Sequence, residues 1–172
     1  MQSATKQYAS YRDTYFRMMK VLEESTLPKA EIDFLSNAVL QATRRRFRSI
    51  ANGLKSRMAS RYHTLEACRG QSGGQRDEEH AVPLNLIHNR ILNISGPCDG
   101  DLPSLSGDLK DLQALLEHHL LVVDVTPQQH ATLKKTKMPK GWTWFGDVMA
   151  RYKEGDGLAY YEAGACPHCA AR

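Results

Sequence analysis

The chain has 172 residues, of which 41% are hydrophobic and 24% are charged, and its formal net charge is +4 at pH 7. This length supports one substantial core and is too short for two full-sized domains, while the composition excludes both a disordered chain and a membrane-embedded one. No apolar run approaches the length of a bilayer span and the first ten residues lack an apolar signal-peptide core, so we expect a cytoplasmic protein.

Two helices are predicted in the first 68 residues. Aromatic and apolar side chains recur at spacings of three and four from residue 3 to residue 24, and the proline in "ESTLPK" ends that pattern. A second, longer helix is predicted from about Lys29 to about Cys68, with an apolar stripe from Ile32 to Leu65. Such stripes are typical of core faces, so we assign them to packing.

The second predicted helix concentrates positive charge. Seven Lys or Arg, and no Asp or Glu, lie between Arg44 and Arg61. A local positive field of this kind suits the phosphates of DNA, although a solvated helix face has the same composition. The residues that we assign to nucleic-acid binding are Arg44, Arg45, Arg48 and Lys55.

A polar, Gly-rich break divides the chain. The segment "RGQSGGQRDE", residues 69–78, interrupts the helical periodicity. It separates a basic helical region, residues 1–68, from residues 76–172, which carry the remaining motifs. We expect the two regions to form one compact unit.

Short elements follow the break. "EHAVPL" predicts an extended segment, because Val82 precedes a proline and that position disfavours helical backbone. Apolar faces then predict helices over about residues 84–94 and 109–119, with a loop between them.

The segment "LLVVDVTPQQHATLKK", residues 120–135, gives the best-defined local signal. Its apolar and β-branched start predicts a buried strand. Thr126, Pro127 and Gln129 then match an N-cap, a proline in the first helical position and the third-position partner of a capping box. The sequence therefore predicts a strand that leads straight into a helix, with His130 in the first turn.

Three side chains with metal and proton chemistry converge if these two blocks pair. An antiparallel pairing of "EHAVP" with "LLVVDVT" brings Glu79, His80 and His130 to one end of a β-β-α unit. A carboxylate and an imidazole can hold a divalent cation, and a second histidine can take a proton from water that attacks a phosphodiester.

The two blocks resemble the HNH, or His-Me finger, endonucleases. "EHAVPL" is similar to the family's first strand, and "VVDVTPQQHATL" is similar to the strand and helix of the colicin-type DNases. The resemblance implies a ββα-metal core, His80 as general base, Glu79 and His130 as metal ligands, and products with 5′-phosphate and 3′-hydroxyl ends. It covers about 25 residues.

Two positions depart from that family. Colicin-type enzymes carry another ligand histidine one helical turn after the first, where this chain has Lys134. The family's asparagine that orients the general base is replaced here, because its position falls near Leu121, which cannot do that job. His119 or Asn85 are the auxiliary candidates for that orienting role. We therefore expect an α+β, mostly helical protein with a small ββα-metal core, an N-terminal helical region and a helical insertion between the two strands.

The four cysteines do not form the framework of a secreted protein. Cys166 and Cys169 make one C-x-x-C pair near the C-terminus, which is half of a structural zinc site. Cys68 and Cys98 complete such a site only if the fold brings their loops to the pair. Thiols in a frayed tail are the alternative.

The segment from residue 137 to residue 162 is rich in aromatic side chains and carries no catalytic motif. We expect these side chains to cover the small sheet, because a strand pair of this size buries too little by itself. Stacking on unpaired bases is the alternative.

The leading hypothesis is a metal-dependent HNH-type endonuclease that hydrolyses DNA. Magnesium is the default ion for one carboxylate and one histidine, and zinc, nickel or manganese also suit that ligand pair. A phage, a mobile element and a defence system remain open as its setting. The alternatives are a catalytically silent HNH-like shell that binds nucleic acid or inhibits a host protein, and a zinc-stapled helical adaptor.

Overall fold

A computed structural model describes residues 1–55, 62–68, 76–94, 104–133, 137–153, 157–162 and 165–167. In these ranges the chain forms six α-helices and one small sheet of four strands, so the expected α+β, mostly helical class is confirmed. Among the described residues, none of the helices combines the length and apolar character that a membrane span requires.

Two long helices open the chain. Helix α1 spans Gln2–Glu23 and α2 spans Lys29–Lys55, so the first predicted helix and the start of the second are confirmed. The Tyr8 and Phe47 rings pack with centroids 4.8 Å apart, and the Tyr8 hydroxyl donates to the Phe47 carbonyl oxygen at 3.1 Å. Both side chains are fully buried, so the apolar stripes of α1 and α2 form a core face.

The predicted continuation of the second helix to Cys68 is wrong. Residues 62–64 form a strand, β1 (Tyr62–Thr64), and a turn follows it as far as Cys68. Pairing with a strand on each side outweighs the helical apolar pattern, and Tyr and Thr suit a strand. Residues 56–61, where the prediction also placed helix, lie outside the described ranges.

The elements after the Gly-rich break follow the sequence pattern in type, but the strand begins inside the predicted break and ends at His80, before the rest of "EHAVPL". They are β2 (Asp77–His80), α3 (Leu84–Ile91) and α4 (Leu109–His119). Pro83 directly precedes α3, where a missing backbone N–H leaves no bond unmade. Asp108 caps α4 by accepting a hydrogen bond from the Lys110 backbone. Both predicted helices are confirmed.

The predicted strand and capped helix are confirmed in detail. Strand β3 (Val122–Val125) leads into α5 (Pro127–Thr132), whose N-cap Thr126 and third residue Gln129 form a reciprocal capping box. A one-turn helix, α6 (Ala150–Lys153), and an edge strand, β4 (Tyr160–Glu162), complete the described elements.

The sheet has the order β2-β3-β1-β4. Strand β2 runs antiparallel to β3, as predicted, with Glu79 opposite Val123. Strand β1 runs parallel to β3 and antiparallel to β4. Because side chains alternate along a strand, Asp77 and Glu79 share one face with Thr64, while His80 and His63 belong to the opposite face.

Two apolar clusters hold these layers together. The larger cluster joins α1 and α2 to α3 and α4 and includes Trp142 and Trp144, while the smaller lies against the sheet and includes Met149 and Tyr152. The aromatic C-terminal segment therefore packs as expected. Phe145 is the exception, because 86% of its surface is exposed.

Candidate functional site

His130 lies between two carboxylates of strand β2. Its Nδ1 is 2.8 Å from Asp77 Oδ2, and its Nε2 is 3.1 Å from Glu79 Oε2. The Glu79 side chain is 14% exposed, whereas the imidazole is 30% exposed and the Asp77 side chain 39%. The group is therefore anchored in the protein and open to solvent on one side.

Local sequence explains this arrangement. Asp77 and Glu79 are two residues apart in β2, so both side chains project from the same face of the sheet. The Thr126 cap fixes where α5 begins, and His130 then falls in its first turn, above that face. The predicted convergence of Glu79 with His130 is what the structure shows, and Asp77 joins them.

The hydrogen bond to Asp77 determines which ring nitrogen of His130 carries a proton. An ionised carboxylate only accepts hydrogen bonds, so Nδ1 carries a proton and donates it in a hydrogen bond to Asp77. In a neutral ring Nε2 then presents its lone pair to Glu79 Oε2, and two electron-rich atoms 3.1 Å apart need a cation or a second proton between them. A carboxylate that orients a histidine through Nδ1 is the usual support of a metal-ligating Nε2.

The separation of these two donor atoms also suits one shared ion. Ligands about 2.1 Å from a metal ion and at right angles to each other stand about 3 Å apart. The 3.1 Å between Glu79 Oε2 and His130 Nε2 matches that edge. The two donor atoms therefore stand at a separation that one divalent ion can bridge.

Arg151 holds the other oxygen of Glu79. Its guanidinium donates to Glu79 Oε1 at 3.0 Å and to the His80 carbonyl oxygen at 2.8 Å, and only 4% of the residue is exposed. The two carboxylates and the one guanidinium together carry a net charge of −1. That balance favours a cation and leaves Glu79 Oε2 as the oxygen that faces it.

His80 lies next to this group but on the other face of the strand. It is 7% exposed and electrostatically coupled to His88 of α3. Burial, together with Arg48, His80 and Arg44, lowers the pKa of His88 to about 3. The structure therefore brings Glu79 and His130 together and directs the His80 side chain towards the helical layer.

The auxiliary candidates lie elsewhere. His119, at the end of α4, has Nδ1 3.0 Å from the Leu115 carbonyl oxygen and Nε2 3.1 Å from that of Trp144. Burial lowers its pKa, so the ring is neutral and donates to one of these carbonyls. Asn85 lies in the first turn of α3 and is half-buried, as is Leu121 before β3. Lys134 lies outside the described residues.

The basic residues of α2 divide into two groups. Arg45 and Arg48 are exposed, whereas Arg44 is half-buried and donates to Asn89 Oδ1 of α3 at 2.6 Å. The helix includes Lys55, whose side chain lies outside the description, as do Arg57 and Arg61. Arg45 and Arg48, together with exposed Arg46, are thus described cations of this stretch that are available to a phosphate backbone.

Two of the four cysteines come together. Cys68, after β1, and Cys166, after β4, form a buried group with His63 that could hold a metal ion. Both cysteines are thiols and not a disulfide. Cys98 and Cys169, which the sequence also assigned to a zinc site, lie outside the described ranges.

Sequence reasoning missed three of these residues. Asp77 had a signal, because it stands two residues before Glu79 in the same strand. Arg151 had none, since it reaches Glu79 across 72 residues of chain. His63 was hidden by the incorrect assignment of residues 62–64 to a helix.

Comparison of the chain with protein-family models, curated proteins and solved structures found no match.

Proposed function

We propose that this protein is a metal-dependent endonuclease of the HNH type, which hydrolyses phosphodiester bonds in DNA. The observation that carries the proposal is the Asp77–His130–Glu79 group on an antiparallel strand pair followed by a capped helix. This is the arrangement of strand, strand and helix that the two sequence blocks imply.

Each residue has a distinct role in this proposal. Glu79 and His130 hold the ion, Asp77 fixes the imidazole through Nδ1, and Arg151 fixes the second oxygen of Glu79. When bound, a divalent ion such as Mg²⁺ stabilises negative charge on the phosphate and on the leaving oxygen. His80 is the general base that accepts a proton from the attacking water.

The first prediction concerns the ion. Glu79→Gln and His130→Ala remove a ligand each, so both variants should lose Mn²⁺ or Mg²⁺ binding and the nicking of supercoiled plasmid together. Asp77→Asn should weaken metal binding by about 10-fold to 100-fold, because it only orients His130. Calorimetry measures binding, and a gel with and without EDTA measures nicking. Glu78→Gln, an exposed neighbour on the opposite face of β2, is the matched control.

The second prediction separates His80 from the ion. His80→Ala should retain metal binding and lose about 10²-fold to 10⁴-fold in cleavage rate, the usual contribution of a general base. Parent-like cleavage by this variant would remove His80 from the mechanism. Loss of metal binding in His80→Ala but not in Glu79→Gln would reverse the assigned roles.

One observation favours a second candidate, a catalytically silent protein that binds DNA. His80 is 7% exposed, which leaves little room for an attacking water. A parent protein that binds DNA with a strong salt dependence, yet fails to nick it with Mg²⁺, Mn²⁺, Ni²⁺ or Zn²⁺, would establish this candidate and contradict the nuclease.

A further inference from the structure

A second group of metal-ligating side chains lies away from the carboxylate–histidine site. His63 is in β1, Cys68 follows the turn after that strand, and Cys166 lies beyond β4. One ligand atom of each residue lies within 4.8 Å of the others. The register places His63 on the sheet face opposite Glu79, so this group and the Glu79–His130 pair lie on different faces of the sheet.

Burial distinguishes this group from an incidental cluster. His63 is 8% exposed, Cys68 is 1% exposed and Cys166 is fully buried. Any one of them alone is an ordinary core residue, because thiols pack as small apolar groups. Three ligands of two types, drawn from two separate segments to one buried point, require a more specific reason.

The ligand set selects zinc. Thiolate and imidazole are the preferred ligands of Zn²⁺, whereas Mg²⁺ and Ca²⁺ prefer oxygen. With usual zinc–ligand distances, neighbouring ligand atoms of a tetrahedral site stand about 3.6 to 3.8 Å apart. The observed group therefore needs to contract by about 1 Å at most to close on an ion.

The charges also balance. Two thiolates and a neutral imidazole around one Zn²⁺ give a group of zero net charge, which can be buried without an unpaired ion. The three described residues account for three of the four positions of a tetrahedral zinc site.

We infer that His63, Cys68 and Cys166 bind a structural zinc ion, which fastens the C-terminal segment to β1. A buried site of this kind, which links two segments of the chain, would contribute to stability. The inference stands independently of the proposed nuclease activity, since the two sites share no residue.

Metal content is the direct test. The full chain, purified without a histidine tag, should contain about one zinc per molecule by mass spectrometry. Cobalt-loaded protein should show thiolate-to-cobalt charge-transfer bands and the absorption of a tetrahedral site. His63→Gln and the double variant Cys68→Ser/Cys166→Ser should bring zinc content close to zero. His118→Gln, at an exposed position of α4, and Glu79→Gln should keep it.

A measurement on the parent protein covers variants that fail to fold. Titration of the native thiols with a mercurial should release the zinc, as followed with a chromogenic chelator, and zinc removal should lower the thermal midpoint. Metal-free protein with an aqueous cobalt spectrum would overturn the inference. So would a Cys68–Cys166 disulfide, or zinc that thiol titration leaves bound. Because Glu79→Gln is scored separately, failure here is distinguishable from failure of the nuclease proposal.

Discussion

A single buried imidazole makes the core sensitive to acid. His88 is 2% exposed and packs 5.3 Å from the Phe47 ring, measured between centroids. Its Nε2 has no hydrogen-bond partner among the described residues. Burial, assisted by nearby Arg48, lowers the pKa of this histidine to about 3. The folded protein therefore keeps the ring neutral at pH values where an unfolded chain would protonate it.

The third prediction follows from this difference. An unfolded histidine binds its proton near pH 6.5, whereas the pKa of folded His88 is about 3. Between these values the unfolded state binds more protons, so the free energy of unfolding falls as pH decreases from about 6.5 to about 3. The loss across this window is on the order of 3 to 5 kcal/mol.

Replacing the imidazole should reduce that slope, and buried His119, whose pKa burial also lowers, should keep part of it. His88→Leu should flatten the acid-side dependence of stability in urea melts from pH 7 to pH 4. His118→Gln, an exposed histidine, should leave it as in the parent. If His88→Leu retains the parental slope, protonation of His88 is not what destabilises the core in acid.

A contact between two side chains was predictable where each lies beside a strong local signal, and it was not predictable where tertiary packing alone creates it. The proximity of Glu79 and His130 could be predicted, because each residue lies beside a segment whose local sequence predicts a strand. Arg151 and Cys166 reach their positions through tertiary packing, which leaves no periodic trace in the sequence. The direction of the His80 side chain, in contrast, follows from its place next to Glu79 in one strand, because adjacent side chains face opposite sides of a sheet.

One side-chain amide organises the start of α5. Gln129 Oε1 accepts hydrogen bonds from the Thr126 backbone at 2.9 Å and from the Thr64 hydroxyl at 2.7 Å. Its Nε2 donates to Glu66 Oε2 at 2.7 Å. The capping residue therefore also ties the helix to β1 and to the turn that follows it.

The fourth prediction measures this connection. Gln129→Ala removes part of a capping box and leaves buried Thr64 without its acceptor, so it should destabilise the fold by about 2 to 4 kcal/mol. Gln128→Ala, one residue earlier and exposed, should change stability by less than about 0.5 kcal/mol. Urea denaturation with an unchanged slope is the measurement. Equal effects of the two substitutions would show that the tertiary bonds of Gln129 contribute nothing.

Element type was predictable where a local rule determined it. The Thr126 cap and Pro127 specify the start of α5 from a few adjacent residues. Strand β1 has only three residues, too few for an alternating pattern, and an apolar helical stripe runs into it. Its conformation is set by β3 and β4, which lie far along the chain.

At the scale of the whole molecule, helix α2 carries exposed positive charge. Arg45 and Arg48 project from α2 into solvent, while Arg44 is engaged with Asn89. Arg48 also acts on the pKa of His88, which in turn is coupled to His80. Arg48 therefore lies towards the layer that contains His80.

The fifth prediction concerns DNA affinity. Replacing Arg45 and Arg48 by Gln should weaken binding and reduce the slope of log K against log salt by about 2, since each phosphate contact contributes about 0.9. Any base preference should persist. Lys29→Gln is the matched control, because the ammonium of Lys29 is already paired with Asp33. Fluorescence anisotropy over a salt series is the measurement, and an unaltered slope in the double variant would exclude this face from the interface.

The parallel pairing of β1 with β3 has a consequence for how the chain folds. Tyr62 lies beside Val123, so a loop of about 60 residues must close before these strands meet, and β4 joins β1 from still farther away. Helices α1 and α2, in contrast, are neighbours in sequence and can associate early. Non-local strand pairing slows folding, because closure entropy is lost before the contacts form. The sheet should therefore be the last part of the molecule to acquire hydrogen-exchange protection during refolding. The Asp77–His130–Glu79 group and the His63–Cys68–Cys166 group should form with it.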